Sequence, residues 1–463
     1  MNNNTLWSLR LGFSNKQSKS IETLGFSKFL EQSFETKFDA SMPEFLADSP
    51  KSYEDFKILR KERKENPAER KDLLRKEVRT SIELRAWWID KMIADEFPLR
   101  EKMTCFWHNH YVSTFQKVKV NHWIFKNNQI LRENAFGNFK DLTKKIIKTN
   151  AMIRYLDNND NKVGKLNENL SRELLELFTL GIGNYTEQDI KNGAKGLAGL
   201  SVGEEFAEYK SKFQDNESFE YLGKKGFFKI DEMIDIIFEQ PNIPYLLTKK
   251  ILKWFIYDNP KVELVKYYGD YFKKQNFEIK PLLTKIFTEE FSKQNAGCKI
   301  KNPLEFALQL LDELNLKNTN SIPIAFFLKE QGMDLFNQPN VKGWDGGNAW
   351  LTSQVYLQRI KIADLLCNGK PFPRKKEVTE NLDSMIEFDT KMPNATLNWN
   401  KSGTNKQIIN ELKERILYSV DENSQLDFEK ILKYDFDSNT DGSENAVIRL
   451  FNAMIKTPEF QLI

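Results

Sequence analysis

The chain contains three histidines, His108, His110 and His122, and all fall within fifteen positions of one another in a sequence of 463 residues. Imidazole ligates transition metals and moves protons near neutral pH, so FWHNHY is the first place to look for either chemistry. On a regular helix, residues two apart point roughly 200° apart. His108 and His110 could therefore hold one ion only if the helix formed by LREKMTCFW ends near Trp107. The β-formers in the following YVST are consistent with such an ending. The alternative is that one imidazole packs beside Phe106 and Trp107 while bonding a backbone carbonyl.

A second cluster lies in NENLSRELLELFTLG. With Leu170 as the origin of a helical wheel, Leu174, Leu177 and Phe178 extend an apolar stripe, and Asn169, Glu173 and Glu176 fall at about 260°, 300° and 240°, beside it. Carboxylates at the border of a core need partners. A divalent transition metal held by His108, His110 and Glu173 would be one, with Glu176 as general base of a metal-assisted, hydrolytic reaction and Asn169 and Arg172 contacting the ligand. The competing expectation is an ion-pair network through Arg172 that fastens helices.

The third cluster is QPNVKGWDGGNAWLTSQ. Gly343, Gly346 and Gly347 permit sharp turns, while Trp344 and Trp350 offer flat faces that either stack on a sugar or aromatic ligand or lock the loop onto the body. Ser353 is expected to cap the next helix. The chain has no GxSxG elbow, phosphate-binding GxxxxGK[ST] loop, HExxH or GxGxxG, so the common hydrolase and nucleotide-binding readings lose their main support.

The elements that must position these clusters are mainly α-helical, since apolar residues recur at helical spacing in SIELRAWWIDKMI, IDEMIDIIFEQP and NPLEFALQLLDEL. The expected architecture is a large multi-helix globular body with a small β-hairpin excursion around 206–229. Pro98, Gly181 and the Thr186 to Asp189 capping box mark helix ends. Residues 60–79 mix both charges and suit an exposed insertion or solvated helices, and 375–406 suit a surface loop. With 69 basic and 66 acidic residues the formal charge is only +3, which gives no reason to expect nucleic acid as a partner. Three scattered cysteines, with no CxxC pair, argue against a disulfide framework or structural zinc. No stretch reads as a signal peptide or membrane span, so the sequence as written is expected to be cytoplasmic.

Taken together and in this order, PLREKMTCFWHNHYVST, NENLSRELLELFTLGIGNYTEQDI and NVKGWDGGNAWLTSQ resemble the bacterial domain-of-unknown-function family 1800. The likeness runs from LWSLRLGFS to TPEFQLI, which implies one unit over residues 1–463. The resemblance carries no activity with it. It implies export for many members, which would make the protein periplasmic or exported, and a genetic neighbour in domain-of-unknown-function family 1501, whose proteins resemble alkaline phosphatases and sulfatases. It therefore offers a second expectation, a non-enzymatic helical accessory protein that presents the Gly-Trp loop to such a partner or to a glycan. The family often carries a His-Asp pair before its LG segment, where this chain has Gln214 and Asp215.

Overall fold

The computed structural model describes all residues except 53, 56, 59–66, 317–319 and 373–394. The expected mainly α body is what forms, with β-structure limited, among the described residues, to two short antiparallel ladders. One pairs β1 (Leu200–Ser201) with β2 (Glu208–Tyr209), and the other is a hairpin of β3 (Phe219–Tyr221) and β4 (Lys224–Gly226). The excursion therefore starts slightly earlier than expected and contains two ladders. Residues 67–79 of the charged segment begin helix α1 (Pro67–Ala94), while 60–66 lie outside the described residues. Of the expected loop at 375–406, residues 375–394 also lie outside them, and the rest leads into a helix starting at Asn405.

The sequence dictates several boundaries through local hydrogen bonds. Thr186 accepts from Asp189 N at 3.1 Å and Asp189 Oδ2 from Thr186 N at 2.8 Å, so the expected capping box opens α5 (Glu187–Leu197). The cap before α7 (Ser353–Cys367) is Thr352, which accepts from Val355 N at 3.3 Å, and Ser353 is the first helical residue instead.

At the centre lies α2 (Leu99–His110), ten of whose twelve residues are buried, so it is wrapped on all sides. Burial on all sides forces its charges to find partners. Glu101 takes Arg132 from α3 (Asn121–Glu133), and Lys102 takes Glu305 and the carbonyls of Leu9 and Gly12. Two further segments pack at the end of α2. One is α4 (Asn169–Glu173) continuing directly into a π-helical turn, Leu174–Thr179, and the other is α6 (Ile243–Phe255).

Candidate functional site: a cavity lined by lysine and tryptophan

Helix α2 does not end near Trp107 but continues to His110, closed by Tyr111 N donating to Trp107 O at 2.7 Å. The two imidazoles consequently face different surroundings, and each finds its own partners. They do not meet as a joint ligand set. His108 packs against Trp88 and Phe336, and its Nε2 lies 3.0 Å from Asn128 Nδ2. The Asn128 carbonyl accepts from Arg132 Nη1 at 2.5 Å, which turns the amide NH₂ toward the ring, so His108 Nε2 accepts. Burial and the nearby Arg132 charge push His108 down to about 3. It is a neutral brace within the core.

His110 has the opposite tautomer. Its Nε2 lies 3.1 Å from Phe178 O, and a carbonyl only accepts, so Nε2 carries the proton and Nδ1 the lone pair. Lys250 Nζ of α6 approaches that Nδ1 to 3.2 Å and also donates to Leu177 O at 2.8 Å. Burial and the lysine hold His110 well below the ordinary histidine range, and burial brings Lys250 down to about 8. His122 stands apart in a separate hollow with Trp123 and Lys126.

The carbonyls of Leu177 and Phe178 belong to the π-helical turn, whose i→i+5 bonds shift the register of its last residues. The second cluster thus meets the first through backbone carbonyls, and its carboxylates lie elsewhere. Glu176 accepts from Tyr185 OH at 2.8 Å. Glu173 is half-buried, and burial together with Glu176 raises its carboxyl above the ordinary range, while Lys342 works in the other direction. Asn169 donates to Leu156 O at 3.1 Å, and Arg172 forks onto Glu187 at 3.0 Å with Glu168 at 3.2 Å. The expected ion-pair network through Arg172 thus exists but bypasses Glu173 and Glu176. Among the described residues, no three His, Cys, Asp or Glu side chains are placed to hold a metal ion.

The third cluster completes the convergence. Trp344 N donates to Asn109 Oδ1 at 2.6 Å, and Gln338 Nε2 to His108 O at 3.0 Å, tying the Gly-Trp loop to the end of α2. Gly343, at φ +87°, lies so close that a Cβ there would collide with the Asn109 side chain and carbonyl. Between loop, α2 and α6 remains a cavity of about 240 Å³, walled by Phe106, Trp254, Trp344 and Trp350. Trp344 and Trp350 therefore both line it, and both are buried against the body. His110, four lysines (250, 253, 299 and 342) and two aspartates (258 and 345) also border it.

The lysines are not equally committed. Lys299 is paired with Glu305 at 3.1 Å, and Lys253 donates to Asp345 O at 3.0 Å. Lys250 has no described carboxylate within ion-pair distance. The buried indole N–H groups of Trp254 and Trp344 also lack a partner. A larger hollow of about 760 Å³ near Arg154 is less unsatisfied, because Lys117 and Lys57 at its rim already pair with Asp157 and Glu54. Sequence reasoning missed Lys250 entirely. Its one available signal was spacing, since Lys250, Trp254 and the intervening Lys253 share one face of α6 at i, i+3 and i+4.

A sequence-family model described as a protein of unknown function, DUF1800, matches residues 5–462. The chain belongs to that family. The match spans all three clusters of this DUF1800 protein. No curated protein and no solved structure matches the chain. None of the described helices is long and apolar enough to cross a membrane.

Proposed function

We propose that this DUF1800 protein binds a small anionic molecule in the cavity between α2, α6 and the Gly-Trp loop. Its size would be that of a monosaccharide carrying a carboxylate, sulfate or phosphate. The observation that carries the reading is Lys250, which borders an aromatic cavity with no described carboxylate within ion-pair distance, on a wall where four lysines outnumber the two aspartates, Asp258 and Asp345. A desolvated cation without a counter-ion is costly, and an incoming anion relieves that cost. The indole faces and their unpartnered N–H groups would add stacking and donors for a polar ring.

An enzymatic reading draws on Glu173. Its carboxyl is raised by burial and by Glu176 and is felt by Lys342 of the Gly-Trp loop, but it is not among the residues that line the cavity, so this reading has less support than binding. A metal shared by His108, His110 and Glu173 has less support, because helix α2 separates the two histidines and Lys250 occupies the His110 Nδ1 side. The accessory-protein alternative would use the same loop toward a phosphatase-like partner or a glycan.

Titration of the full chain with glucuronate, a monosaccharide sulfate and glucose, followed by tryptophan fluorescence, tests the binding reading. The acidic sugars should bind at least tenfold more tightly than glucose, and Lys253→Ala should remove most of that preference. Equal affinity for glucose and glucuronate would overturn it.

A further inference from the structure

We propose that Lys250 is a nucleophilic amine that captures a small anionic aldehyde or ketone as an imine, with His110 Nδ1 shuttling the proton. The inference rests on the cavity being the ligand site and names the class of compound it would take.

Four features support it. First, Lys250 Nζ borders the cavity and is held from behind by Leu177 O at 2.8 Å and His110 Nδ1 at 3.2 Å, so its position is fixed without a carboxylate. A lysine paired with a carboxylate stays an ammonium and has no lone pair to offer, whereas one desolvated beside aromatic groups and other cations becomes a nucleophile. Second, the hydrogen bond from His110 Nε2 to Phe178 O commits the ring to the tautomer whose Nδ1 lone pair faces the amine. Third, Phe106 and Trp254 line the same cavity as Lys250 and give the amine an apolar flank that disfavours its ammonium form. Fourth, Lys253 and Lys342 border the same small cavity, which gives a substrate's anionic group a place to dock while its carbonyl meets Lys250.

The chemistry balances as follows. Lys250, having released one proton from its ammonium to solvent, attacks the carbonyl carbon with its nitrogen lone pair, and a C–N bond forms. The two remaining N–H protons pass to the former carbonyl oxygen, His110 Nδ1 taking one and returning it. The oxygen departs as water, leaving a C=N bond. No oxidant or reductant is consumed.

Pyridoxal 5′-phosphate, a ring-bearing aldehyde with an anionic group, is the probe, and its alcohol counterpart pyridoxine 5′-phosphate is the control that cannot form an imine. After incubation of the full chain with the aldehyde and reduction with borohydride, peptide mass mapping should find Lys250 labelled at least tenfold more than Lys253, Lys342 or an exposed lysine such as Lys433. Excess alcohol should protect it. Lys250→Arg should lose the label, whereas Lys433→Arg, at an exposed lysine away from the cavity, should leave both the Lys250 label and alcohol binding by tryptophan quenching unchanged. The inference fails if wild-type Lys250 is labelled no faster than exposed lysines. If the alcohol then still binds and Lys253→Ala weakens it, the binding site stands and only the covalent step falls. If neither compound binds, both readings are overturned.

Discussion

At the scale of single residues, two histidines in one short motif have unlike roles because their neighbours differ. His108 is buried in the network that runs from Glu101 through Arg132 to Asn128, with Trp88 Nε1 donating to Glu101 at 2.7 Å. Its folded pKa, about 3, lies below the unfolded value of 6.5. The unfolded chain therefore binds the proton first as pH falls. The histidine's contribution to stability is complete above about pH 6.5 and is lost progressively between there and pH 3, at up to about 1.4 kcal/mol per pH unit. Urea midpoints measured at pH 7.5 and 5 should separate accordingly, and His108→Gln should be less stable at pH 7.5 but lose less on acidification. An unchanged pH dependence in that variant would contradict the assignment. His108→Gln should also leave anion binding intact, since the ring bonds no residue of the cavity wall.

At the scale of elements, Gly343 joins the loop to the end of α2. Its left-handed backbone and lack of a Cβ let Trp344 N reach Asn109. Gly343→Ala should displace the loop and cost at least tenfold in ligand affinity while the body stays folded, checked by fluorescence titration beside circular dichroism. A second element-level effect concerns Glu305, buried beside Lys102 and Lys299 and accepting from Asn302 N at 2.8 Å. Glu305→Gln leaves two buried ammonium groups uncompensated and should cost about 3–5 kcal/mol in denaturant unfolding.

These elements also show which parts of the molecule were readable in advance. Helical periodicity, the Thr186 capping box and the hairpin near Gly223 follow from local rules, and they appear where those rules put them. No local rule showed whether the three clusters meet, or by which atoms. A helical wheel assumes about 100° per residue, and it ceases to apply at Leu174, where the π-helical turn begins. It therefore directed attention to Glu173 and Glu176 when the contacts are the carbonyls of Leu177 and Phe178. Likewise the β-formers of YVST suggested an early end to α2, but ring packing of Trp107, His110 and Tyr111 with Phe139 and Phe178 favours carrying the helix to His110. Lys250 lies 140 residues from its imidazole partner, beyond the reach of any local pattern.

At the scale of the whole molecule, residues 461–463 pair with the segment that carries Lys299, one of the cavity's lining residues. Lys299 N donates to Ile463 O at 3.0 Å, Ile463 N to Lys299 O at 2.8 Å, and Lys301 N to Gln461 O at 2.8 Å. Arg359 from α7 adds Gln461 Oε1 at 3.1 Å and Lys301 O at 3.0 Å. One of the four lysines that border the cavity, Lys299, is thus held by a segment more than 160 positions away. Removing residues 461–463 should lower the melting temperature by several degrees and weaken anion binding together, whereas removing a comparable length of exposed loop should do neither. Calorimetric scans with and without glucuronate would separate these effects.

The π-helical turn also makes the site sensitive to chain length in a way that substitutions are not. Reverting Leu174–Thr179 to ordinary helical winding requires one residue fewer, and it would swing the two carbonyls away from His110 and Lys250 together. Deleting Leu175 would then free the lysine and the imidazole at once with every functional side chain still present. The gain or loss of a single codon at this place would therefore change the partners of Lys250 and His110 together, a step that comparison of side chains alone would never register.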